Sequence, residues 1–164
     1  MPRWNRARLG RGAALACSAA LAALTACTSP APTNAYDPAL AASVGADERG
    51  MRGYVFVLLR SGPQPMPPGP ARDEMFKGHM ANIGRLAREG SLVLAGPFDG
   101  VDGWRGMFIF AVDTIDEARA LVATDPVIAE GEMVAEYHRY YGTAALMLLK
   151  DAQARVARDP IVRP

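Results

Sequence analysis

Two side chains in this chain have the types and spacing for proton transfer: His79, inside a stretch of helical periodicity, and Asp125, directly before Pro126. An imidazole with its ordinary pKa of about 6.5 can both take and return a proton near neutrality. A carboxylate that accepts from one ring nitrogen fixes the tautomer and stabilises the imidazolium. The other nitrogen is then left to act as base and afterwards as acid. A second reading stays open at this level. Asp125-Pro126 also suits the cap and first position of a short helical turn through Ala129, and His79 suits a helix residue with one satisfied hydrogen bond.

Other chemistries lack residues. The chain has 2 histidines, His79 and His138, and 2 cysteines, Cys17 and Cys27, so one subunit cannot assemble a His-rich metal centre. Phosphate-cradling glycine loops, cysteine clusters, paired-histidine metalloprotease motifs and G-x-S-x-G elbows are all missing. No cofactor and no metal is expected.

The elements that must position the pair follow from periodicity. Tyr54 to Leu59 is a continuous apolar run, a strand buried on both faces. Gly62 to Pro70 is too rich in proline for helix or strand. From 71 to 89 the period becomes helical, with Phe76, Met80, Ile83 and Ala87 in one stripe and Met75, His79 and Leu86 along its edge; Gly90 ends it. Leu92 to Ala95 is a second strand, closed by Gly96-Pro97. The polar link 99–103 makes a hairpin into a third, Met107 to Val112. Thr114 and Glu117 form a capping box for a second helix striped by Ile115, Ala118, Leu121 and Val122. A last strand runs from Met133 to Tyr140.

The order βαββαβ predicts a ferredoxin-like α+β fold, with a four-stranded antiparallel sheet and two helices on one face. Strands one and three are apolar on both faces, so the uncovered face predicts a homodimer through sheet-on-sheet pairing.

Around this domain, expected over 53–145, lie other segments. Residues 1–26 carry Arg3, Arg6, Arg8 and Arg11 and no acid, followed by an Ala/Leu run that is short for a membrane span. They read as a secretory leader. Leu24-Thr25-Ala26-Cys27 resembles a bacterial lipobox, which predicts cleavage before Cys27 and its acylation, hence a lipoprotein anchored to the membrane of the cell envelope. With Cys17 lost in the leader, Cys27 cannot form a disulfide within the mature chain. Residues 27–52 read as a flexible tether and 146–164 as a helical tail. At 50% hydrophobic and 21% charged, with a net charge of +1, the chain is neither disordered nor a nucleic-acid binder.

Softer pocket candidates are Arg60 at the end of strand one, suited to a substrate carboxylate or to solvent, and Phe98 and Trp104 flanking the hairpin, suited to a cavity or to packing. His138 reads as an exposed or interface residue.

His79 in the first helix, Leu86 through Gly90 closing it, Leu94-Ala95-Gly96-Pro97-Phe98 ending strand two, Asp116-Glu117-Ala118 opening helix two and Asp125-Pro126 after it together resemble the YciI-like (YCII-related) family over roughly residues 54–140. The resemblance implies a dimeric α+β barrel, with His79 and Asp125 as an active-site dyad near the dimer interface. Relatives in the wider barrel group include lactone isomerases and a dehydrochlorinase acting on a chlorinated hydroxyquinol. The leader, the Pro-rich 62–70 loop and the tail after Tyr141 depart from the family pattern. Two functions follow as expectations: a cofactor-independent acid–base enzyme of lyase or isomerase type acting on a small molecule, or a non-catalytic ligand-binding or assembly module.

Overall fold

The structure, a computed structural model, describes residues 35–158. The leader, Cys27 and the start of the expected tether lie outside the described residues. A short helix α1 (Pro38–Ser43) precedes strand β1 (Met51–Ser61). Then come α2 (Pro70–Arg88), β2 (Leu92–Pro97) and β3 (Trp104–Phe110), followed by α3 (Ile115–Val122), a one-turn α4 (Pro126–Ala129), β4 (Met133–Thr143) and α5 (Leu149–Val156).

All strand pairs are antiparallel in the order β2-β3-β1-β4, which places β3 and β1 at the centre. The fold is α+β and ferredoxin-like. Alternation sends Val55, Val57 and Leu59 of β1 and Phe108 and Phe110 of β3 toward the helices. There they pack with Leu86 of α2, Val122 of α3 and Val127 of α4. The capping box at Thr114 and Glu117 is present, and Gly90 sits at φ +83° just past α2.

The tether expectation needs correction within the described residues. Asp37 caps α1 through the Ala39 and Leu40 amides, Val44 is buried, Arg52 donates to the Val44 carbonyl at 3.0 Å, and Tyr141 donates to Asp47. β1 then starts at Met51. Too few large apolar residues lie here to reveal a packed segment by pattern. Hydrogen bonds and a single valine hold it. The third strand is also shifted: it starts at Trp104 and ends at Phe110, with one further backbone bond to the β2 side, from Ala111 to the Ser91 carbonyl at 2.8 Å.

The face of β1 opposite the helices carries Tyr54, Phe56, Leu58 and Arg60, opposed on β4 by Tyr140, His138, Glu136 and Val134. Arg60 pairs with Glu136 at 3.2 Å. Among the described residues no helix covers this side.

The Pro-rich loop is pinned by a buried acid, Glu132, at the mouth of β4. Its carboxylate accepts from the Met66 amide at 2.7 Å, from Arg72 at 2.9 Å and from Arg105 at 3.4 Å. Backbone bonds from Gly62 to Glu132 and from Gln64 to Gly131 complete the attachment. Burial pushes the Glu132 pKa up, but the Met66 amide and the two guanidiniums outweigh it and hold the carboxyl below its ordinary value. A depressed native pKa contributes stability that is present above the unfolded-state value and lost as pH falls through the native one. Glu132→Gln is therefore expected to cost about 1–3 kcal/mol at neutral pH. In thermal melts the gap to the parent chain should narrow as pH falls below about 4.

Candidate active site

Asp125 ends the turn after α3, and Pro126 begins α4. The carboxylate is fully buried, and its Oδ1 accepts from the Val127 amide at 3.2 Å, which makes it the N-cap of α4. It also meets His79 on α2: Nδ1 lies 2.9 Å from Oδ1 and 2.8 Å from Oδ2. Cap and histidine partner, the alternatives open in the sequence, are the same carboxylate in both roles. An ionised carboxylate only accepts, so Nδ1 carries the proton and Nε2 is the nitrogen left free. The histidine side chain is 11% exposed and lines a cavity of about 800 Å³.

Several contacts fix this geometry. The axes of α2 and α4 come close because residue 78 has no side chain: a Cβ there would sit 3.0 Å from Pro126 Cγ. One turn along α2, buried Asn82 accepts from Arg85 at 2.7 Å, and Arg85 also donates to the Thr124 hydroxyl at 3.0 Å, tying α2 to the residue before Asp125. The imidazole lies edge-on to Phe76, with ring centroids 6.0 Å apart, and 6.2 Å from the Phe108 ring. The Arg72 guanidinium stacks over the other end of this row, 4.6 Å from the Phe76 centroid.

The YCII-related domain family matches residues 54–138, just over half of the chain and the whole span from β1 into β4. The chain belongs to the YCII-related family. No curated protein matches it. Among solved structures, 5-chloro-2-hydroxyhydroquinone dehydrochlorinase (TftG) from Burkholderia phenoliruptrix AC1100, in complex with 2,5-dihydroxybenzoquinone, is similar at 21% identity and a TM-score of 0.38. The likeness covers 52% of this chain and 92% of that one.

In this YCII-related chain the cavity runs between α2, β2 and α5. Phe76, Met80, Ile83 and Ala87, the stripe expected on the first helix, face it, while Met75 and Leu86 face the core beside them. The stripe is wider than the core requires, and the surplus is a cavity wall. Leu149, Ala152 and Val156 of α5 form the opposing wall. The tail, whose place the sequence left open, therefore helps enclose the site.

Of the softer candidates, Phe98 lines the cavity and pairs with Trp104 at 5.7 Å between centroids. Trp104 and Arg60 lie opposite each other in the β1–β3 register, on the uncovered side of the sheet, and neither lines the cavity. Arg60 is engaged instead by Glu136 and by the Asp102 carbonyl. His138 is exposed there, 6.2 Å from Phe56 between ring centroids. Residues missed by sequence reasoning are Arg105, which lines the cavity, and Glu132 behind it. Their pairing joins positions far apart in the chain and leaves no local signature.

The close approach at residue 78 gives a structural test. Gly78→Val is expected to push Pro126 away, at a cost of about 1–3 kcal/mol from overpacking. By proton NMR, the downfield Nδ1–H resonance of His79 in the parent should weaken or vanish in the variant.

Proposed function

We propose that this YCII-related protein performs cofactor-independent acid–base chemistry, of lyase or isomerase type, on a small organic molecule, with His79 and Asp125 as its working pair. The observation that supports it most directly is a buried carboxylate spending both oxygens on one imidazole nitrogen, on a ring that borders a large cavity. His79 Nε2 takes a proton from a carbon acidified by a neighbouring carbonyl. The electron pair moves into the enolate. It then either expels a leaving group from the next carbon or collects the proton back from Nε2 on a different atom, so that His79 ends neutral or returns its proton to solvent. Asp125 does not change protonation; it orients the ring and stabilises the imidazolium. Each contribution is of the size that positioned proton transfer gives, about 10²–10⁴-fold.

The reading includes place and assembly. The Arg-rich leader ending in Leu24-Thr25-Ala26-Cys27 supports acylation of Cys27 and a membrane-anchored lipoprotein of the cell envelope. The sheet face away from the helices buries Tyr54 and Leu58 within one copy but leaves Val134, Tyr140 and Trp104 exposed, and these exposed side chains support a homodimer. A second reading is ligand binding without turnover. It is favoured by the apolar length of the cavity beyond the imidazole, where no group capable of chemistry faces the space until Lys150.

Incubating metabolite mixtures with the parent and with His79→Ala separates these functions. A compound consumed by the parent and not by the variant supports the enzyme, whereas compounds retained but returned unchanged support binding alone. Asp125→Asn should fold, because asparagine caps a helix as well as aspartate does, and should lose at least about 100-fold in rate. Light scattering on the eluting full chain is expected to give twice the mass of one copy, and a single-copy mass would defeat the dimer.

A further inference from the structure

The cavity is one-sided in its charge. Among the described residues that line it are two cations, Arg105 and Lys150, and no carboxylate. Asp125 is fully buried behind the imidazole and does not face the space. Glu132 is buried too and already engaged: Arg72 holds its Oε1 at 2.9 Å, while both terminal nitrogens of Arg105 reach the same oxygen only at 3.4 Å. One carboxylate thus serves two guanidiniums. It anchors Arg105 loosely, leaves the rest of its N–H donors unused and leaves a positive charge uncompensated at the wall. A guanidinium so placed matches the geometry of an oxyanion.

The rest of the lining sets the remainder of the ligand. Phe76, Phe98 and Phe108 surround the end where β2 runs into Pro97, and this is also the end with His79 and Arg105. Met80, Ile83 and Val156 make the continuation aliphatic. Arg105 lies three residues before Phe108 on β3, about 10 Å along the strand. A single small molecule therefore spans the gap between a head at Arg105 and an atom that meets His79.

Resting on the acid–base reading above and naming its substrate class, we infer that the cavity binds an amphipathic organic monoanion. Its carboxylate or phenolate head pairs with Arg105, its planar portion lies among the three phenylalanines at His79, and its hydrocarbon body extends along α2 toward α5. The head gives selection for acids over neutral isosteres, and the apolar body gives most of the contact area.

Calorimetric titration of the full chain with 4-butylbenzoate and with 4-butylbenzyl alcohol, nearly the same shape without the charge, tests this. The acid should bind at least roughly tenfold more tightly than the alcohol. Arg105→Gln should remove that preference while leaving the alcohol's affinity unchanged, and Arg105→Lys should restore part of it. Lys150→Gln should keep the preference, and Ala152→Trp, which fills the aliphatic end, should weaken both probes. A melt of each variant establishes that it is folded. Equal binding of acid and alcohol to the parent, a preference that survives Arg105→Gln, or one that follows Lys150 instead would overturn the inference. His79→Ala separates it from the catalytic reading: selective binding that persists without the imidazole supports the anion site even if no turnover is ever found.

Discussion

A carboxylate at Asp125 with no exposure to water must be compensated where it stands, or the fold around it fails. Two donors do this, the Val127 amide of its own short helix and Nδ1 of a histidine from another. The first comes from local backbone geometry and costs the protein little. The second requires α2 and α4 to come close enough for a side-chain contact, and the missing Cβ at Gly78 against Pro126 allows it. The site is therefore a by-product of helix packing held to a narrow tolerance. Widen the approach, and the imidazole loses its orientation while the buried charge loses a partner.

How much of this was legible in the sequence depends on whether the signal is local. The capping box, the glycine stop of α2 and three of the four strands are written in consecutive residues and lie close to where those residues put them, whereas the third strand starts earlier and ends sooner than its apolar run. The Asp125-Pro126 pair is also local, but its signature, a capping acid before a helix-starting proline, does not reveal a partner 46 positions away. The same signature stands at Asp37-Pro38, where it opens α1 inside a segment whose composition reads as a tether. Composition weighed against a specific capping signal misleads there, because a short packed segment needs few apolar residues when its backbone groups are satisfied.

Arg60 and Arg105 illustrate the limit from the other side. Both stand at strand ends, and strict alternation back from Phe108 would put Arg105 on the uncovered face and Trp104 toward the helices. The register slips instead: Leu59 pairs with Gly106 and Arg60 with Trp104, which leaves Arg105 as the extra residue. A bulge of this kind re-aims side chains on either side of it. Gly106 marks the spot, since a Cβ there would come within 2.8 Å of the Gly96 carbonyl on β2. Arg105 thus reaches the cavity side and Trp104 the uncovered one. An isolated glycine in a strand was the available signal for the bulge, though not for its direction.

The cavity itself follows from a mismatch between α2 and the surface it covers. A helix of 19 residues with apolar positions on more than one stripe presents more hydrophobic surface than the sheet beneath it can bury. The core takes Met75, Ile83 and Leu86, and Phe76 and Met80 are left to the side. Exposed, they would be a liability. Flanked by Leu149 and Ala152 of α5, they become one wall of an open cleft, in which Phe76 is half-buried and Met80 still partly exposed. Two of the polar groups that border this space, His79 and Arg105, are held from behind by acids that do not face it, Asp125 and Glu132. Each acid is hidden behind the side chain it pairs with, Asp125 closely and Glu132 loosely, so the cavity wall presents the basic group and not its counter-ion. The same physical arrangement, repeated at two points of one wall, orients the imidazole and leaves the lining with cations and no carboxylate among the described residues.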